Sequence, residues 1–153
     1  MATFHRILVA TDFAEPSQRA LELAIEMARA GEAGEIVVVH ACEIPTYAYT
    51  GTELAPIDLL GPFIEVAQQK LDDLVASIRA RVPNARGVLK IGVPWEQILA
   101  AAGEVGADLV VVGTHGRRGA AHVLLGSVAE KVVRLSPIPV LTARGAVAAP
   151  RRT

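Results

Sequence analysis

Short apolar runs alternate with longer stretches of helical periodicity along most of this chain. Five runs rich in valine, isoleucine and leucine predict strands, and the stretches between them repeat apolar residues every three or four positions. The predicted strands are His5–Ala10, Glu35–Ala41, Gly87–Ile91, Asp108–Val112 and Ile138–Thr142. Because this alternation is typical of βαβ units, we predict a single α/β domain with a doubly wound parallel five-stranded sheet and helices on both faces.

Four helices are predicted between these strands, starting near Pro16, before Ile64, at about Pro94 and near Ser127. Proline in a first helical turn and glycine after a last turn mark several of these boundaries. Each helix carries an apolar stripe that is expected to face the sheet. The expected buried positions are Leu21, Ala24, Ile25, Ala28, Ile64, Ala67, Leu71, Leu74, Ile78, Val82, Ile98, Leu99, Ala102, Val128, Val132 and Leu135.

Two strands are predicted to be central, because Ile36–Val39 and Leu109–Val112 are continuously apolar and not alternating.

The segment from about Cys42 to Leu60 contains prolines, a glycine and two tyrosines, and predicts a long loop. Such a loop is either a lid over a binding site or a tolerated surface excursion. We expect the domain to span residues 1–143 and residues 144–153 to form a flexible tail.

Composition and charge argue against several classes of partner. The 153 residues carry a formal net charge of -1 with both signs interspersed and no strongly basic stripe, so there is no global electrostatic reason to bind nucleic acid or acidic membranes. The single cysteine, Cys42, lacks the paired spacing of zinc and redox sites. No apolar run reaches the about 18 residues of a membrane span. We therefore expect a cytoplasmic protein that binds neither nucleic acid nor membrane.

A glycine-rich stretch after the fourth strand carries the clearest chemical signal. Gly113-Thr114-His115-Gly116 follows that strand, and Gly126-Ser127 opens the last helix after nine intervening residues. Glycines let main-chain amides approach an anion, and a helix amino terminus adds unpaired N–H groups, here including that of Val128, and the positive end of its dipole. Phosphate oxygens suit this geometry. An ordinary helix cap with turn glycines would produce the same spacing.

A second polar pair, Thr11-Asp12, follows the first strand. Ligands of open α/β sheets bind at the carboxyl ends of the strands where the strand order reverses, so the loops after strands one and four converge if those strands are neighbours. Asp12 could then accept a hydrogen bond from a ribose hydroxyl or hold a phosphate-bound Mg²⁺. With Glu15 three residues later, Asp12 could instead cap the first helix.

These motifs resemble the universal stress protein family. The resemblance rests on Val110–Gly116, Gly126–Glu130 and Ser136–Leu141 in the carboxyl half, and on Ile7–Phe13 and Val38–Ala41 in the amino half. The spacing glycine-x2-glycine-x9-glycine-serine is similar to that of the nucleotide-binding branch of the family. The match extends over nearly the whole chain, apart from the predicted loop and the tail.

The resemblance implies a sheet in the order 3-2-1-4-5 and an adenine nucleotide as ligand: ATP, AMP or ADP, with Mg²⁺ as an accompanying ion. It also implies a stress-response regulatory role, a homodimer through the fifth strand and a further protein partner that the sequence does not identify. The residues implied to bind the nucleotide are Ala10, Thr11, Asp12, Ala41, Val112, Gly113, Thr114, Gly116, Gly126, Ser127 and Val128, and Asp12 is the candidate Mg²⁺ ligand.

Other functions stay open at this point. Because the chain lacks the lysine of a GxxxxGK[ST] loop, we assign no catalytic residue and expect at most slow ATP hydrolysis. The domain could be a dimeric interaction module that binds no nucleotide, with glycines that serve only the turn. It could also be a flavodoxin-like redox carrier, although the loop after strand one carries Ala14, Glu15 and Pro16 where a flavin phosphate would bind.

Overall fold

The computed structural model describes residues 3–31, 34–43, 57–114 and 125–144. Within these residues, five strands alternate with four helices, as predicted. The strands are β1 (Arg6–Ala10), β2 (Glu35–Cys42), β3 (Ala85–Ile91), β4 (Leu109–Gly113) and β5 (Val140–Ala143). The helices are α1 (Glu15–Ala30), α2 (Ile57–Arg79), α3 (Pro94–Val105) and α4 (Ser127–Leu135).

The strands form one parallel sheet in the order β3-β2-β1-β4-β5, which confirms the predicted topology. From β1 the chain proceeds outwards to β2 and β3, then crosses back to β4 and β5 on the other side. The strand order therefore reverses between β1 and β4, which pair with Val9 opposite Val111. This is the switch point at which open α/β sheets bind ligands.

Alternate side chains of the sheet enter two cores, one on each face. Ile7 and Val9 pack with α1 and α2, whereas Leu8 packs with α3 and α4. Ile36–Val39 and Leu109–Val112 are buried throughout, because both their faces are covered. The prediction that these two strands are central is confirmed.

The predicted helix stripes are largely confirmed. Every expected position on α1 is buried, as are Ile98, Ala102 and Val132, while Leu99 and Val128 are half-buried. In the stripe predicted for the second helix, the buried residues are Leu71, Ile78 and Val82, and the half-buried ones are Ile64, Ala67 and Leu74. The prediction for Leu135 was wrong, because its side chain is 48% exposed at the last residue of α4. An apolar stripe predicts which face of a helix is covered, but not where the neighbouring layer stops.

Several predicted boundaries were also wrong. α2 begins at Ile57, so the last residues of the predicted Cys42–Leu60 loop are helical, and β2 extends to Cys42. β5 begins at Val140 because the two prolines before it lack the N–H groups that a strand ladder requires. Apart from Glu43 and Arg144, the rest of the predicted loop and the predicted tail lie outside the described residues. Among the described helices, none has the length and apolarity to cross a bilayer.

At the amino edge of the sheet, Glu35 forms ion pairs with two arginines. Its two carboxylate oxygens lie 2.5 Å from Arg6 Nε and 2.8 Å from Arg86 Nε. Hydrogen bonding from Arg86, with a further contribution from Arg6, lowers the pKa of the Glu35 carboxyl against the opposing effect of partial burial. A carboxyl with a lowered folded-state pKa stabilises the protein above its unfolded-state pKa of about 4.3, and this contribution is lost as the pH falls through the folded-state value.

We therefore expect Glu35→Gln to flatten the acid side of the stability profile. Below about pH 4 the wild type should lose free energy of unfolding faster than the variant, because only the wild type must protonate this carboxylate. Urea unfolding at a series of pH values measures the difference. Glu104→Gln is the control, since the Glu104 side chain is 58% exposed against 21% for Glu35. Parallel profiles for wild type and Glu35→Gln would contradict this expectation.

Candidate functional site

The first turn of α1 packs directly against the end of β4. A Cβ atom built on Gly113 would lie 2.8 Å from the carbonyl oxygen of Pro16 and 3.2 Å from the amide nitrogen of Ser17. Such distances are too short for a side chain, so Gly113 is required for this packing. The structure therefore brings together the residues predicted after strands one and four.

The two halves of the glycine motif meet through the main chain. Thr114 continues the β4 ladder by donating its N–H to the carbonyl of Ala143, at 2.9 Å. The Thr114 carbonyl accepts a hydrogen bond from the N–H of Gly126, at 2.5 Å. The chain therefore leaves the sheet and returns at nearly the same point. Gly116, the remaining glycine of the motif, lies outside the described residues.

The amino terminus of α4 has no side-chain cap among the described residues. Gly126 is the N-cap, and its carbonyl accepts the N–H of Glu130 at 2.9 Å. Ser127 is exposed and Val128 is half-buried. Because the first N–H groups of a helix have no partner within the helix, this end presents main-chain donors and a positive dipole.

The turn between β1 and α1 is arranged differently, because side chains of the turn accept hydrogen bonds from its own main-chain N–H groups. Thr11 Oγ1 accepts the N–H of Phe13 at 3.0 Å, and Asp12 Oδ1 accepts the N–H of Ala14 at 2.9 Å. Ala14 is the N-cap of α1, so the interpretation of Asp12 as the cap residue itself was wrong. Asp12 organises the turn from two positions earlier.

Two residues that hold this turn were not predicted as part of the site. The Ser17 hydroxyl lies 3.2 Å from Thr11 Oγ1 and 2.9 Å from Asp12 Oδ1, in a buried position. His40 Nδ1 lies 2.8 Å from the carbonyl oxygen of Thr11. Because a carbonyl only accepts hydrogen bonds, Nδ1 carries the proton. The position of Ser17 in the first turn of α1 is a weak sequence signal, and none links His40 to Thr11, 29 residues away.

Phe13 has a left-handed backbone conformation, with φ of 63°. This conformation is unfavourable for a bulky side chain and persists only where neighbouring contacts impose it. The Phe13 ring packs on the His40 ring with centroids 4.5 Å apart, and the Lys70 ammonium of α2 lies 5.9 Å from the Phe13 centroid. The turn that carries Asp12 is therefore held by contacts from β2 and α2 as well as by its own hydrogen bonds.

Three of the residues predicted for the site have side chains that are half-buried or buried. Ala10 ends β1 and Ala41 lies near the end of β2, and both are half-buried. Val112 is 3% exposed and packs in the core beneath α3 and α4. Its side chain therefore belongs to the core, and only its main chain lies at the carboxyl end of β4.

A cleft lined by described residues lies at the opposite, amino edge of the sheet. It has a volume of about 530 Å³ and includes Arg6, Glu35 and Arg86 in its wall. Glu35 forms ion pairs with both arginines, so the guanidinium groups in this wall already have a partner within the fold. Nor do the described residues contain three or more His, Cys, Asp or Glu side chains that cluster as a metal site. The switch point at the carboxyl edge therefore remains the candidate.

Comparison with known proteins gives the family. A model described as the universal stress protein family matches residues 3–144. The chain belongs to the universal stress protein family. A universal stress protein of Thermus aquaticus is 36% identical over 147 residues, covering 92% of this chain and 99% of that protein. The resemblance inferred from the sequence motifs is confirmed.

Two solved structures of the universal stress protein family are similar to this chain and contain nucleotides. One was determined in complex with cAMP, with a TM-score of 0.65, 27% identity and coverage of 95% of this chain and 100% of that chain. The other, from Archaeoglobus fulgidus, was determined in complex with dAMP, with a TM-score of 0.63, 26% identity and coverage of 93% of this chain and 99% of that chain. Both ligands contain an adenine base.

Proposed function

We propose that this universal stress protein binds an adenine nucleotide at the carboxyl edge of its sheet. The phosphates lie at the amino terminus of α4, and the ribose or a phosphate-bound Mg²⁺ lies beside Asp12. The observation that carries the proposal is the hydrogen bond from Gly126 to Thr114, since it joins the end of β4 to an uncapped helix start at the switch point. The nucleotide complexes of two structural relatives support adenine as the base.

The amino termini of α1 and α4 differ, and this difference supports placing the phosphates at α4 and not at α1. The Asp12 carboxylate already occupies the amide of Ala14 at the start of α1, and it would repel a second anion there. The first turn of α4 carries no such cap in the described part of the chain. A flavin phosphate bound after strand one would have to displace Asp12, which makes the flavodoxin-like alternative less favourable than an adenine nucleotide.

The proposed role is regulatory, in a stress response. Binding of ATP, AMP or ADP would change the surface around the amino terminus of α4, and a protein partner would detect that change. No catalytic residue is assigned, because positioned hydrogen-bond donors are sufficient for binding, whereas phosphoryl transfer also needs an oriented nucleophile. Chromatography of the nucleotide released when the purified protein is denatured identifies the ligand, and it distinguishes adenine nucleotides from flavin.

Asp12→Asn tests the part of the proposal that concerns Mg²⁺. Asparagine keeps an oxygen that can accept the Ala14 N–H, but it removes the negative charge that attracts the ion. We expect the affinity for ATP with Mg²⁺ to fall about tenfold, and the affinity without metal to change much less. Calorimetric titration with and without Mg²⁺ measures both values.

Asp72→Asn is the matched control, because Asp72 is an exposed carboxylate on α2 that interacts with Gln68. It should leave both affinities unchanged. Equal losses with and without Mg²⁺ in Asp12→Asn would remove the metal role from Asp12. Absence of ATP binding by the wild-type protein would remove the function itself and favour an interaction module that needs no nucleotide.

We also propose that two copies of the chain associate through β5. Within the described residues β5 pairs with β4 on one side, and Val140, Leu141 and Thr142 are half-buried. An edge strand with apolar residues readily recruits a second strand. Light scattering at micromolar concentration should give a mass near twice the 16.1 kDa of one chain, whereas a monomeric mass would contradict the dimer.

A further inference from the structure

A buried hydroxyl on α1 lies at the centre of the turn that carries Asp12. Ser17 is 6% exposed, and its Oγ lies 2.8 Å from the carbonyl oxygen of Ala14, 2.9 Å from Asp12 Oδ1 and 3.2 Å from Thr11 Oγ1. The Asp12 amide nitrogen is more distant, at 3.4 Å. The Asp12 N–H donates to the Ser17 oxygen, whereas the three neighbouring oxygen atoms compete for the single proton of the serine hydroxyl.

The direction of the hydrogen bonds follows from the partners of each group. Thr11 Oγ1 already accepts the N–H of Phe13, so its own proton is directed to Ser17. The Ala14 carbonyl already accepts the N–H of Gln18, at 3.2 Å. The Asp12 carboxylate is charged and forms the stronger bond, so the Ser17 proton goes to Asp12 Oδ1. The result is an ordered chain from the Phe13 amide through two hydroxyls to the carboxylate.

This chain determines how the Asp12 carboxylate is oriented. Oδ1 accepts from the Ser17 hydroxyl and from the Ala14 amide, both at 2.9 Å, so two donors from different directions hold one oxygen. The adjacent Phe13 has a left-handed conformation, which a less constrained turn would relax. Removing the hydroxyl would leave Oδ1 with one of these two donors and Thr11 without its acceptor.

Ser17 also lies where the first turn of α1 packs against the end of β4. Its amide nitrogen would be 3.2 Å from a Cβ atom at Gly113, where the glycine motif begins. We propose that Ser17 is a positioning residue, whose buried hydroxyl orients the Asp12 carboxylate towards a nucleotide bound beside Gly113 and the amino terminus of α4. The proposal rests on the nucleotide-binding function proposed above, and it adds a residue that acts through Asp12.

Amide hydrogen exchange tests the orientation without any nucleotide. In Ser17→Ala we expect the Ala14 amide to exchange about tenfold faster than in the wild type, because its acceptor is held by fewer groups. The Thr11 amide, which donates to Val39 in the sheet, should be unchanged. Ser77→Ala is the control variant, since the exposed Ser77 hydroxyl donates only to the Leu74 carbonyl of its own helix. Unchanged exchange at Ala14 would overturn the proposal.

A double-mutant cycle on the affinity for ATP with Mg²⁺ tests the functional part. Ser17→Ala alone should weaken binding about fivefold, and it should cause no further loss when Asp12 is already alanine. Additive losses would mean that Ser17 does not act through Asp12, which overturns the proposal. If Asp12→Ala binds ATP as the wild type does, the assignment of Asp12 to the nucleotide site fails. The exchange at Ala14 then still decides whether Ser17 holds the carboxylate.

Discussion

Replacing Gly126 with valine is expected to abolish ATP binding while the protein remains folded. The backbone of Gly126 is extended, with φ of -65° and ψ of 160°, a conformation that a β-branched residue can adopt. A branched side chain would, however, fill the space through which a phosphate approaches the amides of Ser127 and Val128. Calorimetry should detect no binding, while the free energy of unfolding should fall by no more than about 1 kcal/mol for a less favourable N-cap.

Gly103→Ala is the matched control for this variant. Gly103 lies within α3, where an added Cβ meets no other atom within 4 Å. The substitution should preserve ATP affinity and stabilise the protein by about 0.5–1 kcal/mol, because alanine is favoured over glycine inside a helix. Unchanged ATP affinity in Gly126→Val would mean that phosphates do not bind at the start of α4.

Replacing Gly113 with alanine is expected to destabilise the fold. The new methyl group would meet main-chain atoms of Pro16 at 2.8 and 2.9 Å, and main chain in a helix cannot move aside as a flexible side chain can. α1 must therefore shift away from the sheet, at a cost of about 1–3 kcal/mol. Urea unfolding measures this loss. ATP affinity should fall as well, because the same shift displaces Ser17 and the turn of Asp12.

Gly87→Ala provides the comparison for Gly113→Ala. At Gly87 an added methyl would meet side-chain atoms of Leu71 and Val75 at 3.0 to 3.2 Å, and these atoms can adjust by small rotations. Its loss of stability should therefore be smaller. Equal stability of Gly113→Ala and the wild type would contradict the close packing of α1 on β4. Together, the stabilities of the variants at Gly113 and Gly126 separate a glycine that packing requires from one that we propose is needed for ligand access.

The predictions that were confirmed concern features that the residues of one segment determine locally. A continuously apolar run such as Ile36–Val39 is stable as a strand only when both its faces are covered, so its central position follows from its own composition. The apolar stripe from Leu21 to Ala28 is also determined by its own segment, since its periodicity defines the face of the helix that must be buried. The family prediction rested on several motifs in both halves of the chain, and the family model that matches residues 3–144 confirms it.

The predictions that were wrong concern the ends of elements. α2 starts at Ile57 within a segment whose prolines indicated a loop, and Leu135 is exposed although it continues the stripe of α4. Hydrophobic periodicity shows that a residue can be buried, but burial also requires a neighbouring layer that extends far enough. The extent of that layer is a property of the assembled fold.

The amino-acid sequence by itself determined the alternation of strands and helices, the parallel sheet and the family. Only the tertiary structure decided how individual residues at the carboxyl edge of the sheet pack and which hydrogen bonds they form. It assigned Gly113 to packing and Val112 to the core, and it brought Ser17 and His40 to the turn of Asp12. The physical reason is that periodicity and spacing act along the chain, whereas a hydrogen bond between His40 and Thr11 depends on the pairing of two strands that the sequence separates by a whole helix.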